Sequence, residues 1–211
     1  MIERSYVQYG CGWSAPPGWR NFDASPTLRF ERLPFGLGLL YKRNEFRFPR
    51  NVEYGDIVKG LPVSLGSSEA VYCSHVLEHL SLSDFKIALN NTRKILRPGG
   101  VFRLVLPDLR YSIEQYINDS SADAALSFMR ETCLGYETRP RGIKGLLISW
   151  LGNSQHLWMW DYKSIELELF NAGFVDIRRA SFGDSSDSRF KEVEDKVRWE
   201  NCLGVECKNP D

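Results

Sequence analysis

Between residues 70 and 106 the chain spells out a complete strand-helix-strand unit, and that unit commits it to a parallel sheet. Ala70-Val71-Tyr72-Cys73-Ser74 and Val101-Phe102-Arg103-Leu104-Val105-Leu106 are β-prone runs with almost no polar interruption, the second ending at Pro107. Such runs read as strands buried on both faces. Between them Phe85, Ala88, Leu89, Thr92, Ile95 and Leu96 recur at the i, i+3, i+4, i+7 spacing of one helix face. Ser83 is the candidate N-cap, and Arg97-Pro98-Gly99-Gly100 is the stop.

The rest of the chain extends this unit. Residues 161–172 predict a second helix, with Tyr162, Ile165, Leu169 and Ala172 on one face and Gly173 as terminator. Residues 174–182 and 199–208 read as the last two strands, joined by the polar stretch Gly183 to Ser188 and a short helical segment near 190–196. That link is too poor in helix formers for a full crossover, so these strands are expected to pair antiparallel. Residues 6–9, 19–22 and 52–54 read as strands 1, 2 and 3. The first connection, Trp13-Ser14-Ala15-Pro16-Pro17-Gly18, is too short and proline-rich for a crossover helix.

Two long insertions remain, at about 24–51 and 109–160. The first contains Leu33-Pro34-Phe35-Gly36-Leu37-Gly38-Leu39-Leu40-Tyr41 followed by the basic stretch Lys42 to Arg47; the second is rich in aromatics and arginine.

With 211 residues, 43% of them hydrophobic, the expectation is a single domain over 1–211, the insertions forming a cap over one end of the sheet. Lysine plus arginine (27) balances aspartate plus glutamate (27), so no net field draws the chain to nucleic acid. The N-terminus lacks a basic segment leading into an apolar run, and no stretch approaches the length of a membrane span. A cytoplasmic protein is expected. Its five cysteines form no CxxC, which argues against a disulfide framework and a structural zinc site.

Strand 1 runs into Tyr9-Gly10-Cys11-Gly12, and strand 2 ends at Asp23. Two glycines at this spacing let the backbone turn sharply and lie against a ligand, while a carboxylate at the next strand tip can accept hydrogen bonds from ribose hydroxyls. Four further segments come after it in order: Pro17-Gly18-Trp19-Arg20-Asn21-Phe22-Asp23, Tyr54-Gly55-Asp56-Ile57, Ser74-His75-Val76-Leu77-Glu78-His79-Leu80 and Ile95-Leu96-Arg97-Pro98-Gly99-Gly100-Val101-Phe102-Arg103. In this order the chain resembles a class I S-adenosylmethionine-dependent methyltransferase, closest to the small type 11 group, over most of residues 6–208.

The resemblance implies a Rossmann-like α/β fold, a three-layer sandwich whose sheet is mostly parallel with an antiparallel last strand, here with a shortened first crossover. It implies S-adenosylmethionine as cofactor. Tyr9, Gly10, Cys11 and Gly12 would approach its methionine part, Asp23 its ribose, and Asp56 with the Ile57 amide its adenine, while Ser74 and His75 would border the sulfonium. Two departures stand out: Gln8 replaces the acid usual two residues before the first glycine, and Trp13-Ser14-Ala15 stands where the third glycine of the loop is usual.

Methyl transfer from a sulfonium needs alignment and exclusion of water more than acid-base chemistry. The expected acceptor is a small molecule or sugar, methylated at a hydroxyl. His75, His156 and Asp108 are the candidate bases, Asp108 being equally suited to cap the helix after it. Gln155-His156-Leu157-Trp158-Met159-Trp160-Asp161-Tyr162 suits stacking on a ring or plugging the sheet, and Arg110, Arg139 and Arg141 are candidates for an acidic substrate group. Related quinone-pathway methyltransferases place residues like Glu78-His79 on a divalent metal; here the pair is read as helix-end packing, and no metal is expected. Cys11 is read as a packing residue rather than a nucleophile.

Two other readings stay open. Gly10-Cys11-Gly12-Trp13-Ser14-Ala15 matches the dinucleotide fingerprint G-x-G-x-x-G/A of nicotinamide-dependent oxidoreductases, but Pro16-Pro17 stand where a helix should open. A non-catalytic binding subunit of the same fold is the other.

Overall fold

A computed structural model describes residues 5–32, 47–138 and 155–211. Seven strands form one sheet in the order β3-β2-β1-β4-β5-β7-β6. They are β1 (Ser5–Tyr9), β2 (Arg20–Asp23), β3 (Val52–Tyr54), β4 (Ser68–Ser74), β5 (Leu96–Pro107), β6 (Val175–Ala180) and β7 (Cys202–Lys208). The first five pair parallel, and β7 runs antiparallel to both β5 and β6. Strand order reverses between β1 and β4, which opens a crevice at their carboxyl ends.

The period-2 alternation of strands sorts the core into two faces. Val7, Tyr9, Val71, Cys73, Phe102, Leu104, Leu106, Leu203, Val205 and Cys207 share one cluster with Phe85, Ala88 and Leu89 of α2 (Leu82–Ile95) and Ile165 and Leu169 of a later helix, Tyr162–Asn171. α2 is capped by Ser81, whose hydroxyl accepts from the Asp84 amide at 3.2 Å. The expected cap, Ser83, lies inside the first turn. Tyr162–Asn171 opens with a capping box between Asp161 and Ser164 and stops before Gly173 at φ +88°, as its sequence dictates.

The opposite face is covered differently. Residues 10–19 form no helix, so β1 and β2 pair parallel without the crossover helix that would lie there. Phe190, Val193 and Trp199, from the β6–β7 connection, pack with Trp19 over Ala70, Tyr72 and Val105. That connection is built of two 3-10 turns, Ser188–Glu192 and Lys196–Trp199, in place of the one short helical segment its sequence suggests. On this face Arg103 is fully buried. It pairs with Glu194 at 2.5 Å, Glu206 at 2.9 Å and Asp184 at 3.0 Å, and its guanidinium lies over the Trp199 ring.

Gln8 explains how the helix-less connection is held. Its amide donates to the Ser14 carbonyl at 2.6 Å and to Asn21 Oδ1 at 2.5 Å, and Asn21 donates to the carbonyls of Pro16 and Trp19. A loop without helical hydrogen bonds leaves carbonyls that need donors. A carboxylate at position 8 offers none.

The insertions carry helices that hydrophobic periodicity alone did not announce. α1 (Pro26–Glu31) begins the first, and α3 (Leu109–Asn118) and α4 (Ala124–Glu131) begin the second. Tyr162–Asn171 is hereafter α5. The apolar and basic run of residues 33–46 lies outside the described residues, as do Arg139 and Arg141. No helix among the described residues is long and apolar enough to cross a membrane.

Candidate functional site

A cavity of about 370 Å³ lies at the carboxyl ends of β1, β2 and β4, lined by Tyr9, Gly10, Gly12, Asp23, Ala24, Ser25, Pro26, Gly55, Asp56, Ile57, His75, Val76, His79 and Leu80. This volume suits a small ligand. Gly10 (φ +64°) and Gly12 (φ +54°) both adopt the left-handed conformation that glycine permits. A Cβ on Gly10 would overlap Val76 Cγ2; one on Gly12 would meet nothing within 4 Å.

Asp23 ties this turn to the next strand. Its Oδ2 accepts from the Gly12 amide at 3.0 Å and its Oδ1 from the Ser25 amide at 2.7 Å, and each oxygen keeps a further lone pair for a ligand. Asp56 accepts from the Val58 amide at 3.0 Å and pairs with Lys59 at 3.2 Å, so it makes its own turn as well as lining the cavity.

Seven of the nine cofactor-binding candidates line the cavity: Tyr9, Gly10, Gly12, Asp23, Asp56, Ile57 and His75. Cys11 and Ser74 do not. Cys11 turns into an apolar cluster with Leu28 and Val52, where burial, reinforced by Asp23, pushes its thiol up to about 12. Ser74 is buried and gripped by Arg198, which donates to its hydroxyl at 3.0 Å and to its carbonyl at 2.6 Å. Ala24, Ser25, Pro26, Gly55, Val76, His79 and Leu80 were not foreseen; three come from the stretch between β2 and the start of α1, and three from the 3-10 turn Leu77–His79 and the residues that flank it.

His75 has φ +54°, uncommon for a residue other than glycine. Its Nε2 bonds to the Arg198 carbonyl at 2.9 Å, and its Nδ1 lies 3.3 Å from Glu78 Oε1. Burial lowers its pKa, but contacts with Cys202, Glu78 and the Arg198 carbonyl outweigh burial and raise it to about 10. A pKa raised this far argues against His75 as the proton acceptor. Asp108 caps α3 through the Arg110 amide at 2.9 Å and pairs with Arg179 at 3.3 Å. Both its oxygens are engaged away from the cavity, the capping role the sequence also allowed.

His156 stands 5.0 Å ring to ring from His79. Burial holds its pKa below the usual imidazole value despite the nearby charge of Glu78, and its Nδ1 is buried with no hydrogen-bond partner among the described residues. The loop carrying it is docked on the 3-10 turn, because the Leu157 and Trp158 amides both donate to the Glu78 carbonyl, at 2.8 and 3.1 Å. Trp160 is buried and stacks on Phe85 at 4.3 Å, a plug on the sheet, whereas Leu157 and Trp158 remain exposed. Arg110 pairs with Glu114 on an exposed helix face.

A family model described as a methyltransferase domain matches residues 40–104. With the strand order and the crevice of the sheet, the architecture can now be stated. The fold is that of a class I methyltransferase. An S-adenosylmethionine-dependent methyltransferase from Thermotoga maritima superposes with a TM-score of 0.50 at 14% identity, covering 98% of this chain and 83% of that one. A structure of the Haloferax volcanii Trm112 methyltransferase activator in complex with a candidate methyltransferase gives 0.51 at 14% identity, with 99% and 83% covered. Phosphoethanolamine N-methyltransferase 2 from Haemonchus contortus, in complex with S-adenosyl-L-methionine, gives 0.50 at 13%, covering 99% of this chain and 49% of that one. No curated protein matches. In this class I methyltransferase fold the glycine turn opens no helix, which removes the structural context a dinucleotide fingerprint requires.

Proposed function

We propose that the chain is an S-adenosylmethionine-dependent methyltransferase acting at a hydroxyl of a small-molecule or sugar-type acceptor. The observation that carries this reading is the cavity itself, where the glycine turn, Asp23, the Gly55-Asp56-Ile57 turn and the His75-Val76 tip converge at the point of strand-order reversal. In this reading Asp23 takes the ribose hydroxyls, Asp56 with Ile57 takes the adenine, Gly10 and Gly12 admit the methionine part, and His75 borders the sulfonium.

In the reaction the acceptor O–H bond breaks, an O–CH3 bond forms and the S–CH3 bond breaks, leaving S-adenosylhomocysteine and one proton. His75 and Asp108 are committed to other partners, so this reading gives neither of them the part of a base. The two insertions form the acceptor side, with Leu157 and Trp158 exposed for stacking. Five free cysteines fit the reducing cytosol.

Calorimetry with S-adenosylmethionine, S-adenosylhomocysteine and NAD tests the reading. Binding of the first two, and an Asp23→Ala loss of about 1 to 3 kcal/mol for the hydrogen bonds removed, is expected. Failure of both at millimolar concentration removes the proposal.

A further inference from the structure

We propose that Glu78, His79 and His156 form a binding site for a divalent transition-metal ion of the zinc type, at the edge of the cofactor cavity. The three residues each offer a ligand atom, and these atoms lie within 4.8 Å of one another. Two independent signs point to a missing partner. Glu78 is 0% exposed, yet neither carboxylate oxygen has a hydrogen bond among the described residues; its contacts there are the ion-pair approaches of His75 at 3.3 Å and His79 at 4.0 Å. His156 Nδ1 is likewise buried and unpartnered. Burying such groups without partners is costly.

The outer contacts are those a metal-bound imidazole requires, since a ligating histidine commonly donates its other ring N–H to a carbonyl. His79 Nδ1 lies 2.9 Å from the Gln155 carbonyl, which leaves Nε2 facing Glu78. On His156 it is Nδ1 that is buried without a partner among the described residues and so available to an ion. Two imidazoles and one carboxylate favour zinc and its first-row neighbours over magnesium or calcium. Tetrahedral bonds of about 2.1 Å set donors about 3.4 Å apart, so the side chains must close by roughly 1 Å as the ion enters. Three protein ligands leave a coordination position open, and His79 lines the cavity, so that position is available to an acceptor oxygen. His156 comes from an element 77 residues beyond His79, which no local motif links to it.

The site does not depend on the identity of the cofactor, but its use in methyl transfer rests on the function proposed above. The full chain, stripped with a chelator and kept reduced, is titrated with zinc by calorimetry and with cobalt(II) by visible absorption. One equivalent is expected, with d–d bands of imidazole and carboxylate ligation. His79→Ala and His156→Ala, both at partly exposed positions, should each weaken binding by more than about tenfold, the least that even an outer-shell partner is worth. Glu78→Gln serves as a third variant where circular dichroism shows it folded. Absence of zinc binding by the folded chain overturns the proposal, as does undiminished affinity in His156→Ala, or a thiolate-to-cobalt charge-transfer band placing the ion on cysteine. A chain that binds S-adenosylmethionine but no zinc refutes the metal site alone; one that binds zinc but neither S-adenosylmethionine nor S-adenosylhomocysteine refutes the cofactor reading alone.

Discussion

Replacing Gly10 by alanine should damage the fold far more than the same change two residues later, and the two glycines together separate two physical causes. Both have positive φ, so alanine at either pays a backbone cost of about 1 to 2 kcal/mol. At Gly12 the new methyl meets nothing within 4 Å, and that cost is the whole effect. At Gly10 it overlaps Val76 Cγ2 and stands 3.3 Å from Val76 Cβ, adding about 1 to 3 kcal/mol of overpacking for a total of about 2 to 5 kcal/mol. Urea denaturation followed by tryptophan fluorescence measures the difference. In a Val76→Ala background the γ-carbons are gone, and the gap between the two glycine variants should fall below about 1 kcal/mol. If Gly10→Ala and Gly12→Ala are equally stable, or the gap survives removal of the Val76 methyls, then the close approach of strands β1 and β4 does not make Gly10 obligatory.

Arg198→Ala should lower stability by about 1 to 2 kcal/mol, because it frees both the hydroxyl and the carbonyl of Ser74; Arg198→Lys should not restore it, since one ammonium cannot reproduce the two-pronged contact, and full stability of the lysine variant in urea would discount the clamp. Acid should loosen the far face of the sheet. Asp184 is partly desolvated, which raises its pKa, but Arg178, the Ser181 amide and Arg103 prevail and hold it at about 2, below the ordinary 3.8. A depressed carboxylate stabilises the fold above its unfolded pKa, so this contribution is intact above about pH 4 and disappears as pH falls through 2. With the side chain 34% exposed, the gain is discounted to about 1 kcal/mol. Asp184→Asn should flatten the stability curve in that window, and a variant with unchanged acid dependence would show that other carboxylates govern it.

The sequence made the sheet legible where local chemistry and long-range pairing agreed. The run from Ala70 to Leu106 has one periodicity at each step, and Asp161 with Gly173 brackets α5, so both appear near where expected. The exception is that β5 begins at Leu96 and takes in residues 97–100, read as a stop, through an irregular pairing with β4. The missing first crossover helix was visible in Pro16-Pro17. What compensates for it was not, since the packing of Phe190, Val193 and Trp199 depends on residues some 170 positions away and on turns with no periodic signature. At the site, glycines and acids at strand tips announced most of the cavity because those positions demand particular backbone or charge. Ser74 and Arg198 differ: their partnership spans 124 positions, and neither residue type specifies the other. For the same reason the sequence left His156 apart from Glu78 and His79.

The far-face cover also links two ends of the chain thermodynamically. Residues 9–80 supply the cavity lining, while the segment that shields the strands beneath it, and grips Ser74 and His75, is supplied by residues 181–201. To the extent that a ligand's contact with His75 depends on that grip, occupancy of the cavity and the order of the late segment favour each other by the same free energy, because such coupling is reciprocal. A substitution at Trp199 or Phe190, remote in sequence from every lining residue, reaches the cavity only through that grip.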